Sequence, residues 1–186
     1  MTDSSVYILL ADGFEELEAI APADILRRME LSVVLVGVAS KQVRGSHGIE
    51  LTADRTLNQL KTQTPRAVLL PGGMPGTKNL DANPAVGELV RRTAADGGLV
   101  GAICAAPMVL GRLGLLNGRR ATCFPGFEEH LAGAEKCGEP VVTDGNIVTA
   151  AGAGVAAEFG FAVGALLKDE VSAAFVRRSM QFAAEK

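Results

Sequence analysis

The chain has 186 residues, 48% of them apolar and 21% charged, with a formal net charge of −3, no Trp and three Cys. That is enough chain for one domain, 1–186, with a real core. It carries no basic field and no Lys/Arg cluster with interleaved aromatics, so neither nucleic acid nor a membrane surface is an expected partner. No run approaches the roughly 20 apolar residues of a membrane span. The start of the chain has no basic region before the short apolar run Val6–Ala11, so it does not read as a secretory leader. Cys104, Cys123 and Cys137 form no C-x-x-C pair, which leaves zinc-ribbon and disulfide frameworks unsupported and makes the reducing cytoplasm the expected compartment.

In chain order, VYILLA (6–11) reads as a strand, followed by EELEAIAPADILRRM with apolar residues near helical spacing. Pro22 inside that pattern predicts a kink or a delayed start. SVVLVGVA (32–39) is a second strand, and residues 41–57 read as a small β excursion. RAVLLPG (66–72) is a third strand. ANPAVGELVRRTAADGG has a clean helix start, with Asn83 as N-cap, Pro84 at the first position and Gly97 past the end. GLVGAIC (98–104) and IVTAAG (147–152) are further strands, and 105–116, 156–168 and 169–184 read as helices. The runs at 32–39, 66–72 and 98–104 are apolar throughout rather than alternating, which suits strands buried on both faces. Alternating β and α elements predict a doubly wound α/β domain with a mostly parallel sheet and ligands at the carboxyl ends of its strands.

Four segments stand at those ends. Cys104 closes one strand and opens a helix among Gly101, Ala102, Ala105 and Ala106. It is either a small buried hydrophobe or a nucleophile on a sharp elbow, with a helix N-terminus lowering its pKa. LLPGGMPG (69–76) is either a tight turn or a place where backbone N–H groups face a ligand oxygen. Its spacing fits neither G-x-G-x-x-G nor a Walker A loop. ADGFEELEA (11–19) offers Glu15, Glu16 and Glu18, and spacing does not choose among them. Acidic residues suit a first helical turn on a solvated face, but a carboxyl buried at the strand ends stays protonated and donates to a thiolate. His47, in GSHGIE, and His130, in FEEHL, lie outside metal spacing, so no metal is expected. His130 is expected in an exposed turn.

LADGFEELEA, LLPGGMPG, GAICAAP and AAGAGVAAEFG, in this order and spacing, resemble the ThiJ/PfpI superfamily, most closely its DJ-one branch and bacterial relatives. The resemblance runs from Val6 to the C-terminal helix. It implies a flavodoxin-like sandwich with helices on both faces, assembled as a homodimer. By motif position it makes Cys104 the reactive cysteine and Glu18 its carboxyl partner, with Gly73 and the Ala105 amide in oxyanion-type positions and Gly72 lining the pocket.

The implied activity is cofactor-free glyoxalase or protein deglycase chemistry on methylglyoxal, glyoxal or their adducts, in a stress-protective role. Cysteine redox sensing and redox-linked chaperone behaviour are the alternative. Three departures alter the pocket mouth. Phe124 stands where the branch often has a His, Ala151 and Ala153 replace an Arg and a Pro, and His47 falls where an Arg is usual. Because Ala105 follows Cys104, a peptidase or glutaminase triad is not supported.

Overall fold

A computed structural model describes residues 2–60 and 64–182. In chain order its elements are β1 (Thr2–Leu10), α1 (Glu16–Arg28), β2 (Val33–Gly37), β3 (Gln42–Arg44), β4 (Glu50–Thr52), β5 (Arg55–Thr56) and β6 (Thr64–Leu70). Next come α2 (Gly76–Asp81), α3 (Pro84–Ala95), β7 (Leu99–Ile103), α4 (Pro107–Arg112), β8 (Arg120–Ala121) and β9 (Glu135–Lys136). The chain ends with β10 (Val141–Asp144), β11 (Ile147–Ala150), α5 (Ala156–Leu167) and α6 (Glu170–Ser179).

Seven strands form the central sheet in the order β10-β11-β7-β6-β1-β2-β5. Every pairing in it is parallel except β10 with β11. This is the mostly parallel, doubly wound α/β sheet that the alternation predicts, and the flavodoxin-like form that the resemblance implies. β1 shows why both faces must be covered. Tyr7 and Leu9 enter one apolar cluster with side chains of α2, α3 and α4, while Val6, Ile8 and Leu10 enter another with side chains of α1 and α5. Each such side chain, fully buried, contributes about 1.5–3 kcal/mol. α6 lies outside this sandwich, its Ala173 and Val176 packing with Ile25, Met29 and Phe161.

Tight approaches set the spacing of the layers. A Cβ on Gly101 of β7 would sit 2.8 Å from Phe159 Cζ of α5 and 2.5 Å from Leu69 Cδ2, so only a bare backbone admits the aromatic ring there. Pro22 does not delay α1, which runs from Glu16 through it. It faces Gly160 of α5, where a Cβ would come within 2.9 Å of Pro22 Cα. At α3 the expected start is present: the Asn83 side chain accepts from Ala85 N at 3.0 Å, Pro84 is the first helical residue, and Gly97 takes φ 78° just past the end.

Three expectations change. The helix expected over 105–116 shrinks to Pro107–Arg112, because Pro107 starts it late and the chain turns at Gly114 with φ 74°. α6 begins on the Asp169 cap and stops at Ser179; of the helix expected to 184, residues 183 and 184 lie outside the described residues. The β10–β11 hairpin, turning through Gly145 and Asn146, adds an antiparallel edge that the strand reading of 147–152 lacks. The excursion at 41–57 is a separate β3–β4 hairpin followed by β5, which joins the main sheet.

One feature of the topology places the site. The chain leaves β1 through α1 to β2 on one side, and β6 pairs with the other side of β1. The crevice outside the carboxyl ends of β1 and β6 is therefore the switch point of the sheet, with β7 next to it.

Candidate active site

Cys104 follows β7 directly and takes φ 63°, a left-handed conformation uncommon for a residue with a Cβ. Its neighbours over-determine that turn. Cys104 N donates to the Ala150 carbonyl of β11 at 2.8 Å, and its own carbonyl accepts from Phe124 N at 2.8 Å. The thiol is thus raised above the sheet on an elbow and left half-buried.

The LPGG turn after β6 closes over it. A Cβ on Gly72 would lie 2.7 Å from both Cys104 Cβ and Glu18 Oε2, so this position must be bare for the acid and the thiol to meet. Gly73 has φ 85°, and a Cβ there would come 2.5 Å from Glu15 N. The Gly73 and Ala105 backbone N–H groups both donate toward the Cys104 sulfur. A negative charge on that sulfur, or on an oxygen bound next to it, meets two donors already in place.

The three carboxyls of the first α1 turn have three different tasks. Glu15 is the helix cap: its Oε2 accepts from Glu18 N at 2.8 Å, and its own N–H donates to the Gly72 carbonyl at 2.9 Å. Glu16 is a clasp. Its buried carboxylate accepts from His47 N at 2.8 Å and Ile49 N at 3.3 Å, and meets His47 Nδ1 at 2.9 Å. Burial pushes the Glu16 carboxyl up, but these donors outweigh it and hold it below its ordinary value.

Glu18 faces the thiol. Only 1% exposed, it accepts from Gly72 N through Oε2 at 2.7 Å and has the Cys104 side chain as hydrogen-bonding neighbour. Its Oε1 is buried and accepts from no N–H or O–H donor. Burial pushes its carboxyl up to about 7, opposed by the Gly72 and Cys104 hydrogen bonds. A carboxyl in that position holds its proton near neutrality and has a free oxygen from which to donate it.

The thiol pKa corrects an expectation. The Cys104 thiol is pushed up to about 12, first by burial and then by the Glu18 charge; the Gly73 and Ala105 N–H groups pull it back only in part. α4, at six residues, is too short for its dipole to reverse this. The acid and the thiol are best regarded as a pair: above about 7 they hold one proton between them, and the two amides favour its transfer from sulfur to carboxyl.

His47 is 71% exposed in its side chain and sits on the rim. Its partners are Glu16 and, at 3.9 Å, Glu15 Oε1. Hydrogen bonding to Glu16 and the charge of that carboxylate raise its pKa. Glu15, Glu16 and His47 offer ligand atoms within 4.8 Å of one another, but the Glu16 oxygens are engaged in holding the loop. Phe124 is tied to the Cys104 backbone through its N–H, and Ala151 follows β11, whose Ala150 carbonyl accepts from Cys104 N. Ala151, half-buried, donates its N–H to the Pro140 carbonyl, and Ala153 opens a short 3₁₀ turn. His130 ends an exposed 3₁₀ turn away from the thiol, as its acidic surroundings predict.

Cys123 lies just past the end of β8 rather than on a strand, is 6% exposed, and packs in the cluster on the α2–α4 face. Burial raises its thiol to about 11. Cys137 donates to the Glu135 carbonyl at 3.4 Å and borders the Arg120 guanidinium. The separate roles of Glu15 and Glu16 escape sequence reasoning. Two of the partners of Glu16 are backbone N–H groups some thirty residues away, which leave no side-chain signature.

Two hollows lie elsewhere among the described residues. One of about 480 Å³ opens at the amino ends of the strands around Arg66 and Asn146, and one of about 640 Å³ lies between α5, α6 and β10. Neither holds a Cys or a His. Cys104 and Glu18 meet at the elbow instead.

Known proteins are similar to this chain along most of its length. Protein dj-1beta of Drosophila melanogaster is 36% identical over 158 residues, covering 83% of this chain and 84% of its own. The glutathione-independent glyoxalase DJR-1.2 of Caenorhabditis elegans is 33% identical over 84% of each chain. A deglycase of Pyrococcus abyssi is 31% identical over 77% of this chain and 87% of its own. The crystal structure of a mutant DJ-1 superfamily protein from Salmonella typhimurium superposes with a TM-score of 0.93 at 38% identity, covering 97% of this chain and all of the other. The model of the DJ-1/PfpI family matches residues 4–166, and the chain belongs to that family.

Proposed function

We propose that this protein is a cofactor-free, cysteine-dependent glyoxalase or deglycase acting on small 2-oxoaldehydes such as methylglyoxal and glyoxal, or on their adducts. The observation that carries the reading is the buried Glu18 carboxyl, one oxygen free, beside a thiol on a strained turn with two backbone donors aimed at it. Relatives named as a glyoxalase and a deglycase support the same chemistry.

In this reading Cys104 gives its proton to Glu18 as the sulfur adds to the aldehyde carbon, forming a C–S bond and a hemithioacetal. The Gly73 and Ala105 N–H groups hold the developing negative charge. Glu18 returns the thiol proton to the former aldehyde oxygen, completing the hemithioacetal. It then takes the proton of the former aldehyde carbon and delivers it to the neighbouring carbon as the hydroxyl proton passes to the neighbouring oxygen, which converts the adduct into the thioester of a 2-hydroxy acid. Water cleaves the thioester, releasing the acid and restoring the thiol. Methylglyoxal plus water becomes lactate, with no net oxidation.

Consumption of methylglyoxal without glutathione or metal tests this. Native protein should form lactate stoichiometrically, Cys123→Ala should keep this activity, and Cys104→Ser should lose it. Equal loss in both variants overturns the role of Cys104.

A homodimer belongs to the same reading. Leu17 and Ile20, three residues apart on α1, and Ile49 beside them leave apolar side chains exposed next to the site, and sedimentation measures their burial by a second copy. The free thiols suit a reducing cytoplasm.

The free Glu18 oxygen also favours a redox reading, in which peroxide oxidises Cys104 to a sulfinate that the protonated carboxyl stabilises. Mass spectrometry after mild peroxide should then show two added oxygens on Cys104 alone; oxidation of all three Cys removes this reading.

A further inference from the structure

Phe124 is 47% exposed, an unusual cost for a large ring, yet it is clamped on several sides. Its N–H is tied to the Cys104 carbonyl at 2.8 Å, which fixes its backbone beside the nucleophile. Its ring lies against Gly152, where a Cβ would be 3.3 Å from Cδ2, and meets Phe127 edge to face with centroids 6.4 Å apart. Phe127 in turn packs against the His130 ring at 5.8 Å. The segment after β8 thus carries a short aromatic ladder whose first ring is laid against Gly152, just past β11, and left partly bare, on a residue tied to the Cys104 backbone. The opposite rim, on the β1 side, is different in kind, with Glu15, Glu16 and His47.

We infer that Phe124 is a specificity-determining residue, a platform that selects 2-oxoaldehydes or adducts bearing an aryl or similarly flat apolar substituent. The inference rests on the proposed reaction at Cys104. It follows from three conditions met together. The platform residue is bonded to the backbone of the reacting residue, its ring is preorganised so that little freedom is lost on stacking, and its bare surface is reclaimed from water only when a ligand covers it. An aromatic pair of this type is worth roughly three- to tenfold in binding beyond its buried area. The carboxylates across the rim oppose an anionic substituent there, which leaves neutral flat groups favoured.

The test compares kcat/KM for phenylglyoxal and methylglyoxal in native protein, Phe124→Ala and Phe124→Tyr. The phenylglyoxal-to-methylglyoxal ratio should fall roughly three- to tenfold in Phe124→Ala and be retained in Phe124→Tyr, which keeps the ring. A ratio has the advantage of being unaffected by the amount of folded protein. A second readout needs no turnover: the relative rates at which N-benzylmaleimide and N-methylmaleimide alkylate Cys104, each normalised to a free thiol. That ratio should fall in Phe124→Ala by a similar factor. If native protein consumes neither aldehyde, the proposed reaction is wrong and the maleimide ratio alone decides the platform. If both ratios are equal in native protein and Phe124→Ala, or the aryl reagents are disfavoured by native protein, the inference is overturned.

Discussion

The two ends of the sheet differ in how their polar groups are met. At the amino end a hollow of about 480 Å³ is bordered by polar groups that are well provided for: Asn146 Nδ2 donates to the Gly98 and Ala94 carbonyls, and Arg66 donates to the Leu167 carbonyl. At the carboxyl end Cys104 is held in a left-handed turn, Glu18 keeps a buried oxygen that accepts from no N–H or O–H donor, and both have displaced pKa values. Strain and unmet hydrogen-bonding capacity, not the presence of a hollow, single out the candidate site.

The largest effects should separate the ends completely. Cys104→Ser should reduce turnover of methylglyoxal to background, and Glu18→Gln should lower kcat by about 10²–10⁴-fold, since Gln still accepts from Gly72 N but moves no proton. Gly73→Ala should cost about 10²-fold by displacing one of the two sulfur-facing donors, with KM less affected than kcat.

Glu18 also sharpens the comparison through stability. Its folded pKa is raised from 4.5 to about 7, so its contribution is fully present below 4.5 and is lost as pH rises to about 7. That rise corresponds to about 3 kcal/mol of burial cost above neutrality. Glu18→Gln should therefore unfold at higher temperature than native protein at pH 8, and the gap should close toward pH 4. The same titration should appear in reactivity. Alkylation of Cys104 should accelerate as pH rises through about 7, and that step should vanish in Glu18→Gln. The smallest effect belongs to the amino end: Asn146→Ala should cost about 1 kcal/mol in denaturant unfolding and leave kcat/KM unchanged.

Much of the carboxyl end was legible in the sequence because its determinants are local. Apolar runs ending in Cys104, in LPGG and before EELE mark where strands stop, and a sheet of parallel strands brings such stops together. The division of labour among Glu15, Glu16 and Glu18 was not legible from spacing, since it depends on which backbone groups lie across from each. The thiol pKa was misjudged for a related reason: a helix start is visible in sequence, whereas burial and a facing carboxyl are not. The β10–β11 hairpin, by contrast, had a readable signal in the Asp144-Gly145-Asn146 turn between apolar runs. Pro22 shows the reverse case, a breaker overridden by the packing of α1 on α5.

The Glu16 clasp bears on how this scaffold accepts change. Two of the donors it holds, His47 N and Ile49 N, are main-chain amides, present whatever side chains the loop carries. That part of the grip does not depend on loop side chains, whereas the His47 ring and Gly48, at φ 87°, do constrain the sequence. Ser46 and Ile49 can therefore be exchanged, with His47 and Gly48 kept, recasting the lip of the cleft while the same helical turn keeps Glu18 registered against the sulfur.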